Sequence, residues 1–209
     1  MEIKLLDNTR VGIAENILTD EECKILHDYA VSVKSVETEE SRKAALAKDE
    51  QYISDSFMHL DSETDYDVEA LSDFWGSKNV FTHLAPENIR DLVDKLRENS
   101  MPAFAAYLEK IDAPTRGFTK DLINFSPIHV YSKGHSFENH VDCHEYALVF
   151  YISDPSEFEG GDLVYDDGPR ITPSRGVLVI APSEMSHEVL EVTDGYRCSL
   201  TTFFSTTED

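Results

Sequence analysis

The run Tyr196-Arg-Cys-Ser-Leu-Thr-Thr-Phe-Phe204 constrains the fold more than any other stretch of this chain. It reads as a strand, and side chains along a strand alternate between its faces. Arg197, Ser199, Thr201 and Phe203 therefore share one side, and Cys198, Leu200, Thr202 and Phe204 the other. A guanidinium on an inner wall is costly unless an anion meets its fork of donors. With the Ser199 and Thr201 hydroxyls beside it, Arg197 predicts a pocket for a carboxylate. The plainer alternative is that it pairs with one of the chain's own acids, such as Asp194 or Glu191.

A second constellation lies upstream. If the segment around His140 is extended, His140 and Asp142 project to the same side, which presets two metal ligands. His144 has the same parity, but four extended residues span roughly 13 Å at about 3.3 Å each. Metal–ligand bonds are only about 2 Å long, so His140 and His144 do not share an ion. The third ligand must come from a distant part of the chain, and His187 is the candidate. Two imidazoles and a carboxylate on one face of an ion leave the opposite face open, the pattern of a non-haem Fe(II) oxygenase. His59-Leu-Asp61 repeats the triplet, but without comparable strand-rich surroundings, and reads as chance.

Around these residues the chain divides in two. Residues 2–18 predict a strand or two. Thr19-Asp-Glu-Glu22 is a capping box that opens a helix over about 20–33, with Cys23, Leu26, Tyr29 and Ala30 at helical spacing. Pro86 to Ile111 is helical as well, with Ile89, Leu92, Val93 and Leu96 as its apolar stripe. Pro102 is expected to break or restart it, leaving a second helix through Phe104, Tyr107 and Leu108. Strands follow over about 121–131, 137–142, 146–153, 162–166, 177–180 and 196–204, punctuated by clusters such as Asp166-Asp-Gly-Pro169. Many short strands after a helical half predict an α+β fold, a jelly roll backed by N-terminal helices. The expected organisation is one domain over 1–209, with 1–117 as mainly helical support, Gly117 at the boundary, and 118–205 as the core. Within the support, about 37–80 reads as an acidic insertion, with Ser41 to Lys48 helical and Asp61, Glu63, Asp65, Asp67 and Glu69 interleaved with small and aromatic residues.

The charge balance narrows the partners. With 18 basic and 41 acidic residues the chain carries −23, which repels phosphate backbones and anionic membranes, so a nucleic-acid substrate is disfavoured and something basic mildly favoured. No apolar run approaches the roughly 20 residues of a membrane span, and Met1-Glu2-Ile-Lys lacks a signal-peptide layout. Cys23, Cys143 and Cys198 are odd in number and form no CxxC, which suits a reducing, cytoplasmic setting. Parity turns Cys143 away from the proposed ligands.

From Tyr131 to Phe203 the chain resembles the 2-oxoglutarate and Fe(II)-dependent dioxygenases, within them the prolyl 4-hydroxylase-like branch. The pieces that carry the resemblance are Tyr131, Gly134, Phe137 and the His140-Val-Asp142 pair; then Tyr151 and Gly160-Gly-Asp-Leu; then Gly176-Val-Leu-Val-Ile, His187 and Arg197-Cys-Ser199. The resemblance implies a double-stranded β-helix in which His140, Asp142 and His187 hold Fe(II). It implies 2-oxoglutarate bound by its keto-acid end to iron, with Tyr131 near that end. The distal carboxylate would lie on Arg197, helped by Tyr151 and by Thr201, with Ser199 on the same wall. It further implies O2 as co-reactant, ascorbate as an auxiliary reductant, release of succinate and CO2, and hydroxylation of a prolyl residue in a peptide or protein. A free amino acid or other small molecule is the alternative substrate. A cupin-like metal-binding jelly roll fits Gly176 to His187, but Asp142 occupies the place of that motif's second histidine. A sugar-binding jelly roll gives Arg197 and both tyrosines no reason to surround a metal triad.

Overall fold

The structure, a computed structural model, describes residues 2–6, 9–36, 79–80, 82, 85–113, 127–142 and 144–204. The expected helix over Ser41 to Lys48, the acidic residues Asp61 to Glu69, the His59 triplet, Gly117 and Cys143 lie outside these residues.

The first helix, α1, spans Asp20–Ser35 and starts where its caps dictate. The Thr19 hydroxyl accepts from the Glu22 amide while the Glu22 carboxylate accepts from the Thr19 amide, so two otherwise orphaned donors are satisfied reciprocally. Acids in the first turn and Lys34 in the last complement the helix dipole. Its buried stripe is Cys23, Leu26, His27 and Ala30; Tyr29, expected on that stripe, is only half-buried.

The second helix, α2, runs unbroken over Glu87–Lys110, with Pro102 inside it, which corrects the expected interruption. Pro102 and Glu98, whose carbonyl lacks an amide partner, are both on the solvent side. Water can satisfy that carbonyl there, and the helix continues. Its buried face extends from Ile89 through Val93, Leu96 and Phe104 to Leu108. The two expected helices are thus one.

Among the described residues there are twelve strands: β1 (Lys4–Leu5), β2 (Gly12–Ala14), β3 (Asn79–Val80), β4 (Ile128–Ser132), β5 (Phe137–His140), β6 (Tyr146–Tyr151), β7 (Phe158–Gly160), β8 (Leu163–Tyr165), β9 (Arg170–Ile171), β10 (Leu178–Pro182), β11 (His187–Val189) and β12 (Val192–Phe204). They form a large sheet in the order β1-β2-β10-β6-β12-β4-β3, with β7 paired to the start of β12, and a small sheet in the order β5-β11-β8-β9. This is a double-stranded β-helix backed by helices. Four strands, β3, β7, β9 and β11, were not foreseen, and β5 stops at His140 rather than at Asp142.

Alternation along the shared strands builds two cores. Ile128 and Val130, Leu148 and Phe150, Leu178 and Ile180, and Cys198, Leu200 and Phe204 pack with the helices. Each such side chain contributes about 1.5–3 kcal/mol by leaving water. The intervening residues Tyr131, Tyr151, Val179 and Ala181 face the small sheet and pack with Leu163, Tyr165, Ile171 and Val189.

Candidate metal and anion site

A cavity opens between the two sheets. β4 lines it with His129 and Tyr131, β6 with Val149, and β12 with Arg197, Ser199, Thr201 and Phe203. The small sheet adds Phe137, His140, Leu163, His187 and Val189, and the connection after β5 adds Asp142.

His140 and His187 are direct partners across β5 and β11, so the histidines are brought together by strand pairing. Asp142 lies beyond the end of β5, and its amide donates to the Ser183 carbonyl at 3.0 Å. The expected side-by-side placement holds, but the connection after β5, tied to Ser183, and not a continuous strand produces it. The Nε2 atoms of His140 and His187 stand 3.7 and 3.6 Å from the two Asp142 oxygens. One atom from each of the three residues lies within 4.8 Å of the others. Two bonds of about 2.1 Å meeting at a right angle hold ligand atoms about 3 Å apart, so small side-chain movements suffice to enclose an ion.

The outer nitrogens prepare the inner ones. His140 Nδ1 donates to the Glu138 carbonyl at 2.8 Å and His187 Nδ1 to the Met185 carbonyl at 2.9 Å. Each bond fixes the tautomer whose Nε2 lone pair points at Asp142. Burial, with His187 alongside, pushes the His140 imidazole down to about 4, so it is neutral at ordinary pH. Burial also raises Asp142, against the pull of His187. Two imidazoles with Nε2 presented and a desolvated carboxylate suit a divalent cation. His144 is held apart, its ring 5.0 Å from that of Phe203.

Arg197 is 1% exposed, and no carboxylate among the described residues pairs with it, so neither Asp194 nor Glu191 is its partner. Its Nε donates to the Gly161 carbonyl at 3.1 Å and its Nη1 to the Ser199 hydroxyl at 3.0 Å, which leaves Nη2 for a ligand. β12 lies between β4 and β6, which sets Tyr131 opposite Arg197 and Tyr151 opposite Ser199. The guanidinium carbon lies 4.9 Å from the centre of the Tyr131 ring and 5.1 Å from that of Tyr151. Burial pushes the Tyr131 phenol up to about 12 and raises that of Tyr151, so both stay protonated as donors. The Tyr151 hydroxyl is buried without a hydrogen-bond partner. A buried guanidinium without an acid beside an orphaned phenol is a fit for an incoming carboxylate.

The double glycine makes room for this arginine. Gly161 has φ +72°, and a Cβ there would sit 3.1 Å from Arg197 Cδ and 3.0 Å from Val192 Cγ2. Gly160, at φ +80°, would bring a Cβ within 2.2 Å of the Glu191 carbonyl oxygen. All eight residues singled out in the sequence converge on this cavity or, for Tyr151, on its arginine. His129, Val149, Leu163, Val189 and the role of Phe203 escaped notice. For His129 and Val149 the usable signal was shared parity with Tyr131 and Tyr151.

The chain is similar to known proteins in sequence and in fold. Residues 126–205 match the family described as the 2OG-Fe(II) oxygenase superfamily. A PKHD-type hydroxylase of Prochlorococcus marinus is 34% identical over 76 residues, 32% of this chain and 34% of that one. A PKHD-type hydroxylase of Acinetobacter baumannii is 34% identical over 61 residues, 28% of this chain and 26% of that one. The matched segment thus spans about a third or less of these relatives. Among solved structures, a viral collagen prolyl hydroxylase from Paramecium bursaria Chlorella virus-1 superposes with a TM-score of 0.57 at 14% identity, over 98% of this chain and 100% of that one. A Pseudomonas putida prolyl-4-hydroxylase gives 0.50 at 17% identity, over 96% and 95%. These two likenesses support the fold.

Proposed function

We propose that the chain is a member of the 2OG-Fe(II) oxygenase superfamily, which its residues 126–205 match, and that it is a 2-oxoglutarate-dependent hydroxylase acting on a prolyl residue in a peptide or protein. One observation carries the reading. A buried arginine without an acid partner among the described residues faces the same cavity as two histidines and an aspartate poised for one ion. An anion-binding end and a metal-binding end in one cavity suit a ligand that carries a carboxylate and chelates a metal.

His140, Asp142 and His187 would hold Fe(II), and Fe(II) with 2-oxoglutarate and O2 supplies the oxidation of a C–H bond to a C–OH, with succinate and CO2 released. The chain's own residues do the rest. The Nδ1 bonds to Glu138 and Met185 hold both imidazoles with Nε2 presented. Arg197 offers Nη2 to the distal carboxylate, and the Tyr151 phenol donates a second hydrogen bond to it. Ser199 accepts from the guanidinium and helps to orient it, Thr201 adds a hydroxyl to the same wall, and Tyr131 lines the cavity beside Arg197. Val149, Leu163 and Val189 line the space with hydrocarbon and limit water around the reacting centre.

The proline-directed reading rests on the names of the relatives and structural neighbours. Ascorbate as the reductant that keeps iron ferrous belongs to the same proposal. So does a cytoplasmic setting, which suits the free, buried Cys23 and Cys198. Among the described residues no helix is long and apolar enough to cross a membrane. A single domain over 1–209 is proposed because α1 and α2 share one core with the large sheet.

The test is to incubate the Fe(II)-loaded protein with 2-oxoglutarate, O2 and a library of proline-containing peptides. Peptides gaining the mass of one oxygen atom, in step with succinate, are expected. Iron bound without affinity for 2-oxoglutarate would overturn the reading in favour of a cupin-like metal protein.

A further inference from the structure

Both imidazoles stand at the end of a ladder that does not hold them by itself. His140 closes β5 and His187 opens β11, so no strand pairing continues beyond them. On the other side the register slips between His187 and Val189, where β5 carries an extra residue. A bulge of this kind interrupts the ladder and bends the strand. Backbone pairing alone therefore leaves the separation of the two histidines loosely determined.

The residues immediately before each histidine close the gap. The Ser186 hydroxyl donates to the Asn139 side-chain oxygen. The Asn139 amide nitrogen donates to an Asp166 carboxylate oxygen at 2.6 Å. The Asp166 backbone amide returns to the Ser186 carbonyl at 3.1 Å. The result is a closed ring joining the end of β5, the turn after β8 and the approach to β11. None of the three side chains lines the cavity, so the ring acts on the site from outside.

We infer that Asn139, Ser186 and Asp166 are positioning residues of the metal site, whose ring of hydrogen bonds sets the spacing of His140 and His187 and so governs metal affinity without touching the ion. This rests on reading His140, Asp142 and His187 as the ligands. Partners that orient metal ligands from outside are typically worth roughly 10–100-fold in affinity.

The test uses the full chain, freed of metal and titrated with Co(II). Visible d–d absorption and competition with a chelator give the affinity, and the melting temperature of the metal-free protein is recorded in parallel. Ser186→Ala and Asn139→Ala should each weaken Co(II) on the order of tenfold and alter the d–d band. Their metal-free melting temperatures should move by about 2–4 °C at most. Ser186→Thr keeps the hydroxyl and should restore both affinity and band. Wild-type affinity in both alanine variants overturns the inference, as does a lowered melting temperature with affinity unchanged. Should an alanine variant fail to fold, Asn139→Gln, one methylene longer, tests the same spacing by the same readouts. No Co(II) binding by the wild type, or full binding by His187→Ala, would overturn the ligand assignment itself and the inference with it.

Discussion

The layer under the helices and the layer between the sheets are made from the same strands on opposite terms. Along β12, Cys198, Leu200 and Phe204 enter a core that is almost wholly hydrocarbon, while Arg197, Ser199 and Thr201 enter one whose polar groups are only partly satisfied by one another. The first layer contributes stability through area and volume, which any well-fitting apolar set can supply. The second gives up packing for donors and acceptors held ready, and those groups become fully paired only with ligands. Stability and activity should therefore separate along β12 with a period of two residues.

The largest expected effect breaks the cavity side alone. His187→Ala removes one of three ligands and should abolish measurable Fe(II) binding and turnover while the metal-free protein melts within a few degrees of wild type. Equilibrium metal titration with calorimetric melting checks both halves, and retained affinity would exclude His187 from the ligand set.

Next comes Arg197→Ala. Removing one member of a buried charge pair costs about 3–5 kcal/mol, on the order of a hundredfold or more in 2-oxoglutarate affinity. Arg197→Lys keeps a charge but loses the planar fork, so its affinity should fall between. Iron binding should survive both. A lowered melting temperature with an unchanged Michaelis constant for 2-oxoglutarate would make Arg197 a structural residue and erase the contrast between the faces.

Leu200→Ala probes the opposite face of the same strand. Truncating a fully buried leucine costs about 2–5 kcal/mol of stability, measurable by urea unfolding. The folded fraction should bind 2-oxoglutarate within about twofold of wild type, and a larger loss would show that the two layers are coupled through β12.

A pH dependence sharpens the helix-side layer. Burial pushes the Cys198 thiol up to about 12 and that of Cys23 up to about 11. Above about pH 8.5 the unfolded chain loses these protons while the folded one keeps them, so stability falls as pH rises. The slope is on the order of 1 kcal/mol per thiol per pH unit. Urea unfolding at pH 8 and pH 10 checks the sign. Iodoacetamide at pH 8 should label Cys198 and Cys23 slowly in the folded protein and completely in urea, as read by peptide mass.

What was legible in the sequence follows from the range of the forces involved. The α1 start and the two faces of β12 depend on neighbours a few residues away, so capping and alternation reveal them. β7, β9 and β11 are two or three residues long and exist because distant strands pair with them, and nothing local marks them. His140 and Asp142 were read as companions by strand parity, whereas the structure brings Asp142 in through its bond to Ser183. Pro102 was misread because its cost depends on whether the carbonyl it strands faces water, which is a property of the packed helix. Asn139, Ser186 and Asp166 are ordinary surface residues until the small sheet assembles.

The position of β2 in the large sheet bears on how the molecule forms. Ala14 pairs with Leu178 and Gly12 with Ile180, and Arg10 reaches Glu184, so one side of the sheet joins residues far apart along the chain. Loop closure over such a span is entropically slow, and β-rich chains dominated by distant pairings fold in milliseconds to seconds. Until β10 arrives, β2 has only β1 to pair with, Ile13 opposite Lys4. Refolding should accordingly gain its last protected backbone amides at residues 12–14, after α1 and α2 have docked.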